Sequence, residues 1–246
     1  LSAGDEMITA LTFDFWNTLY TAAAYAHPLR RRFLFELFAK HQIDVTPEQV
    51  DAAEDIARHA WNRAWREEYR TPSAAEWVRV MLNALLIELP SADFDALALC
   101  YDRSLLDANP GPALIDGAAE TIRRLAGRYR LGVISDSGLS TGKTLREFLI
   151  RDNLINCFTH LSFSDEVGVS KPHPRIFHFT LDRVGAQPQA AVHIGDLTRS
   201  DIAGAKGVGM RAVRLTANYD DADRSVAPDA VVQSYAELEV WIKRCE

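Results

Sequence analysis

The sequence predicts an α/β fold: a parallel sheet with helices on both faces, interrupted after its first strand by an all-helical domain. Three observations carry that expectation. The apolar run Ala10-Leu11-Thr12-Phe13 ends in a carboxylate, Asp14, as a strand buried on both faces and closing at a ligand crevice would read. From about residue 22 to 108 the apolar residues recur at helical spacing, with no strand pattern. Beyond Asn109-Pro110-Gly111-Pro112, short apolar runs alternate with amphipathic segments, the pattern of a parallel sheet covered by helices.

The whole-chain properties bound the function. The 246 residues are 48% hydrophobic and 25% charged, room for one large domain or a domain with a sizeable insertion. A net charge of −7 supplies no basic footprint, so nucleic acid is not an expected partner. No apolar stretch reaches transmembrane length and no basic-then-apolar leader opens the chain, so no membrane partner and a cytoplasmic location are expected. Cys100, Cys157 and Cys245 are odd in number and widely spaced, which points to free thiols.

In order, Thr46-Pro47-Glu48-Gln49 and Ser73-Ala74-Ala75-Glu76 read as capping boxes opening two helices. Leu34, Leu37, Phe38 and His41 share one helical face, as do Phe94, Leu97, Tyr101 and Leu105, and Trp77, Met81 and Leu85. Four or five packed helices are expected there, with Trp61, Trp65 and Trp77 in their core. The alternating part predicts a helix near 117–126, a strand at 131–134, a helix near 142–151 and a strand at 160–163. A helix from Pro174 to Gly185, strands at 190–194, 211–215 and 230–232, and a final helix capped by Ser234 complete it. A helical block inserted after the first strand would form a lid over the carboxyl ends of the sheet.

Four chemical signals fall in sequence order. Asp14 closes the first strand, and Ser135 follows another and offers a hydroxyl to an anionic oxygen. Lys171 supplies a cation on the proline-stiffened loop Gly168-Val169-Ser170-Lys171-Pro172-His173-Pro174. Asp196 closes a further strand in Gly195-Asp196-Leu197-Thr198-Arg199-Ser200-Asp201, which brings Asp201 about one turn on, as a second carboxylate or simply a helix-end residue. Converging carboxylates repel unless a cation lies between them, and all-oxygen ligation suits magnesium. A metal and a lysine around a nucleophilic carboxylate suit transfer of a phosphoryl group.

Over nearly its whole length the chain resembles the haloacid dehalogenase superfamily. The segment Asp14-Phe15-Trp16-Asn17-Thr18 is similar to that family's first motif, Asp-x-Asp-x-Thr. The resemblance implies a Rossmann-like core of residues 1–20 and 109–246, with residues 21–108 as a helical cap domain. It implies that Asp14 is the nucleophile forming an aspartyl-phosphate, that Ser135 binds the phosphoryl group, and that Lys171 balances its charge. Magnesium would be held by Asp14, the backbone carbonyl of Trp16 and Asp196, with Asp201 a direct or water-mediated support. A small phosphorylated metabolite would be the substrate.

Trp16 departs from the family pattern, which has a second Asp there as general acid and base. Indole offers neither a usable proton nor a basic site. The consequences remain open between a substitute from the cap (His59, Glu67 and Glu68 are candidates), substrates with good leaving groups, and a protein that binds without turnover. The 2-haloacid dehalogenase branch carries an aromatic at this position and uses no metal, so Trp16 fits it; Gly195-Asp196 follows the metal-binding form instead. Four other features carry less. Gly138-Leu139-Ser140-Thr141-Gly142-Lys143-Thr144 misses the phosphate-loop spacing, which leaves Lys143 only as a possible substrate contact. Gly204, Gly207 and Gly209 are expected to permit close helix–strand packing. Arg30-Arg31-Arg32 is expected to be a solvated face or, on a lid, an anion contact. His173 and His193 have no metal-ligand spacing.

Overall fold

Six parallel strands form one sheet in the order β3-β2-β1-β4-β5-β6, flanked by helices. They are β1 (Ala10–Phe13), β2 (Arg130–Ser135), β3 (His160–Phe163), β4 (Ala191–Gly195), β5 (Arg211–Leu215) and β6 (Ala230–Val232). These positions come from a computed structural model, which describes residues 7–22 and 27–246. Residues 1–6 of the expected core and 23–26 of the expected helical domain lie outside the described ones. Every residue of β1 and β4 is buried, which is why both are apolar but for Thr12 and His193 rather than alternating. Register is set by Phe13 pairing with Val133 on one side and Ile194 on the other.

Two units make up the chain. The sheet unit comprises the described residues of Leu1–Ala22 with Ala113–Asp136 and Phe148–Glu246. Its helix Pro174–Val184 begins on a proline and stops at Gly185, whose φ of +67° ends the helix in the left-handed region. Ile176, Phe177, Leu181 and Val184 on that helix pack with Ala10, Ile134, Ala191 and Ala212 of the sheet. Gly204 permits a close approach, since a Cβ there would lie 2.4 Å from the Phe177 ring. The packing expectation does not extend to its neighbours: Gly207 has open space, and Gly209 is a positive-φ position at +86°. The last helix, Tyr235–Arg244, buries Tyr235, Leu238 and Ile242, while Trp241 is only half-buried.

The helical unit comprises the described residues of Ala23–Pro112 together with Ser137–Glu147. Its helices are α1 (His27–Lys40), α2 (Pro47–Glu67), α3 (Ala74–Ala84) and α4 (Ser91–Asp107). Both capping boxes form: Thr46 with Gln49 and Ser73 with Glu76 exchange side-chain and backbone hydrogen bonds, each cap worth ~1 kcal/mol. Leu34, Phe38, Val50, Val78, Met81, Leu97 and Tyr101 are buried in the core of this unit. Trp77 packs against that core, whereas Trp61 and Trp65 form a half-buried pair with rings 5.8 Å apart outside it. Arg30 corrects the expectation of a solvated face. Its guanidinium donates to Ser104 Oγ and the Tyr101 carbonyl, both at 2.8 Å, while Arg31 pairs with Asp51.

Ser137–Glu147 follows β2 in sequence, which would place it with the sheet, but it groups with the helices and bonds to α4. Thr141 N donates to Asp102 Oδ1 and Ser140 Oγ to the Asp102 carbonyl, both at 2.7 Å. Arg103 and Glu147 form a two-point ion pair at 2.6 and 2.9 Å, and Leu139 packs on the helical core. Among the described residues no helix is long and apolar enough to cross a membrane.

Candidate active site

The strand order reverses direction between β1 and β4, since β2 and β3 continue to one side and β5 and β6 to the other. In open α/β sheets the crevice outside the carboxyl ends at such a point is the ligand site. Asp14 follows β1 directly and Asp196 follows β4, so the two carboxylates emerge from adjacent strands.

Lys171 joins them. Its Nζ donates to Oδ1 of Asp14 and to Oδ1 of Asp201, each at 2.6 Å, and it is 2% exposed. Asp136, just past β2, fixes the lysine's backbone by accepting from Lys171 N at 2.9 Å. Asp14, Asp196 and Asp201 are all buried and can present oxygens within 4.8 Å of one another. Three carboxylates against one ammonium leave two negative charges uncompensated when all are ionised.

The titration of these groups follows from that crowding. Burial, opposed by Lys171 and reinforced by Asp201, holds Asp14 above the usual carboxylate range. Burial and then the charges of Asp201 and Asp14 push Asp196 up to about 8. Burial also acts to raise Asp201, but Lys171 and the hydrogen bond from His193 outweigh it and hold Asp201 well below the usual range. Lys171 is held above the ordinary lysine value: burial works against its charge, and the flanking carboxylates overcome it.

Asp201 reaches this position through local backbone geometry. A single π-helical turn, Thr198–Ile202, returns the chain after Asp196, and Leu197 N donates to Asp201 Oδ2 at 2.9 Å. Such wide turns occur often at functional sites. Gly195 supplies the space, because a Cβ there would lie 2.3 Å from Asp201 Cγ.

Ser135 is the last residue of β2, fully buried, with its hydroxyl donating to the Asp136 carbonyl at 3.3 Å. Trp16 is half-buried, edge-on to Phe15 (ring centroids 4.9 Å apart) and Phe148 (6.4 Å). Its carbonyl oxygen accepts no hydrogen bond among the described residues, because the turn closes instead through the Phe15 and Tyr20 carbonyls. His59, Glu67 and Glu68 lie in the helical unit, all exposed, with His59 Nδ1 2.7 Å from the Asp55 carbonyl and Glu68 3.7 Å from Arg70. Lys143 is exposed in the same unit.

Two residues of the cluster are not singled out by sequence. His193 Nε2 is 3.1 Å from Asp201 Oδ1; a carboxylate only accepts, so Nε2 carries the proton, and Nδ1 meets Thr12 Oγ1 at 2.9 Å. A histidine inside an otherwise apolar strand, two residues before Gly195, was the available signal. Asn17 Nδ2 donates to Asp196 Oδ2 at 3.0 Å.

A family model of haloacid dehalogenase-like hydrolases matches residues 8–209. The chain belongs to this family, and it is a hydrolase. It is 28% identical over 209 residues to the glyceraldehyde 3-phosphate phosphatase of Methanopyrus kandleri, covering 85% of this chain and 84% of that protein. It is 38% identical over 102 residues to the protein of the same description from Pyrococcus furiosus, a match spanning only 40% of that relative's length. Among solved structures it is similar to the 2-haloacid dehalogenase of Pseudomonas syringae pv. Tomato DC3000, with a TM-score of 0.76, 25% identity, and coverage of 98% of this chain and all of that one.

Proposed function

We propose that the protein is a magnesium-dependent phosphomonoesterase that hydrolyses a small phosphorylated metabolite through a phosphoryl group carried on Asp14. The observation behind this is the buried row Asp14–Lys171–Asp201 beside Asp196, three carboxylates against one ammonium, which a cation would let ionise together. Asp14, Asp196 and the Trp16 carbonyl, which accepts no hydrogen bond among the described residues, would supply a hard all-oxygen donor set of the kind that fits magnesium. Asp201, whose oxygens already accept from Lys171, His193 and Leu197, supports the site chiefly through the lysine. When bound, the cation would draw negative charge from the phosphoryl oxygens. The phosphatases among the relatives point the same way.

In the proposed reaction a carboxylate oxygen of Asp14 bonds to phosphorus while the bond from phosphorus to the leaving oxygen breaks, its electron pair departing with that oxygen. Water then bonds to phosphorus while the bond from phosphorus to the Asp14 oxygen breaks, its electron pair restoring the carboxylate. Phosphate leaves with the water's oxygen and one proton as the other proton passes to solvent. Lys171 balances the charge of both, and the Ser135 hydroxyl turns from the Asp136 carbonyl to a phosphoryl oxygen. Trp16 cannot protonate the leaving oxygen, so acyl and aryl phosphates are favoured over alkyl esters.

The test is a panel of phosphate esters with and without magnesium. Phosphate release that needs magnesium and disappears in Asp14→Asn supports the proposal; no release from any ester overturns it. One observation favours a second reading, 2-haloacid dehalogenation by attack of Asp14 on the halogen-bearing carbon: the aromatic Trp16 together with the likeness to a dehalogenase structure. Halide release from a short haloacid in the presence of EDTA would establish that reading in place of the first.

A further inference from the structure

Asn17 occupies the turn after β1 at φ +55°, in the left-handed region. Glycine adopts that conformation without strain, and asparagine is among the few other residues that tolerate it. A glycine there would satisfy the backbone, so the amide side chain invites a separate explanation.

Each polar atom of that amide has a defined partner. Oδ1 accepts from Asn218 Nδ2 at 2.8 Å and from Ala22 N at 3.3 Å. The Ala22 N–H can only donate, so the amide atom facing it is Oδ1, and Nδ2 is the atom facing Asp196 Oδ2. Asp196 is 1% exposed, so rotation of its carboxylate is limited by what surrounds it. The bond from Asn17 ties Oδ2 and leaves Oδ1 for a cation.

We propose that Asn17 is a positioning residue for the magnesium ligand Asp196, itself latched by Asn218 on the loop after β5. The inference rests on the magnesium site of the proposed function. Groups that orient metal-bound carboxylates typically contribute ~10–100-fold to metal affinity. Asn17 acts through Asp196 and needs no contact with substrate.

Magnesium affinity, titrated calorimetrically without substrate, tests this. Asn17→Gly keeps the left-handed turn and removes only the amide, so it should weaken magnesium binding ~10-fold while the unfolding midpoint in EDTA stays at the wild-type value. Asn218→Ala should weaken binding less, and the double variant no more than Asn17→Gly alone. Wild-type affinity in Asn17→Gly overturns the inference and leaves the proposed function standing. A wild-type protein that binds no magnesium overturns both. Should Asn17→Gly not fold, Asn218→Ala on its exposed loop decides the matter, and undiminished affinity there is the overturning result.

Discussion

The Lys171 ammonium lies 2.6 Å from an oxygen of Asp201, and neither group reaches solvent. An ion pair in that setting is strongly destabilising to break from one side, because the partner left behind is a buried, uncompensated charge. Asp14 depends on the same ammonium, so one lysine holds both Asp14 and the carboxylate opposite it.

Lys171→Met should therefore lower unfolding stability in denaturant titrations by ~3–5 kcal/mol. It should also cut phosphate release at least ~10²-fold. Combining it with Asp201→Asn should restore part of the stability and none of the activity. A Lys171→Met protein as stable as wild type would contradict the pairing.

The pH dependence of the metal-free protein follows from Asp196, pushed from 3.8 to about 8 by burial first and then by Asp201 and Asp14. Between those values the folded protein keeps a proton that the unfolded chain has released. The stability tied to that proton is complete below pH 3.8 and is lost as pH rises through about 8. Thermal unfolding in EDTA should accordingly fall across this window, with a shallower slope in Asp196→Asn. Magnesium held by Asp196 would have to displace the same proton, so on the proposed function its affinity should climb with pH until about 8.

Gly195→Ala would drive a methyl into Asp201, whose Cγ lies 2.3 Å from the position of the new carbon. Overpacking of this kind costs ~1–3 kcal/mol, and the displaced carboxylate should release Lys171, so stability and activity should fall together. Gly207→Ala, with nothing within 4 Å of the added carbon, serves as the control and should leave both at wild-type levels or gain slightly in stability.

Trp16→Asp should raise phosphate release from a simple alkyl phosphate. General acid–base help is typically worth ~10²–10⁴ in rate, and a gain toward that range, with little change for an aryl phosphate, is the expected pattern. Equal rates for Trp16→Asp and wild type on the alkyl ester would show that the acid is supplied elsewhere in the protein.

Much of the sheet was legible because strands buried on both faces are mostly apolar, and a carboxylate closing such a run stands out, as Asp14 and Asp196 do. The capping boxes at Thr46 and Ser73 were legible because their donors and acceptors sit three residues apart. What escaped depends on partners distant in the chain. Nothing local to Ser137–Glu147 shows that Asp102 and Arg103 will hold it. His193 looks like any core histidine until the π turn brings Asp201 back beneath it. Asn17 looks like a turn former because it is one, and its second task appears only when Asp196 and Asn218 converge on it.

The central position of β1 also governs how the molecule comes together. Thr12 meets His193 across 181 residues, and Asp14 meets Lys171 across 157. Strand pairings this far apart close slowly, since the entropy of the intervening chain must be lost before any contact rewards it. During synthesis β1 emerges before either of its neighbours exists, an apolar segment with both edges unpaired, and it stays so until β2 and then β4 are made. Asp14 is thus synthesised well before the groups that come to surround it. The unpaired β1 on the nascent chain is the kind of exposed apolar edge through which misassociation occurs.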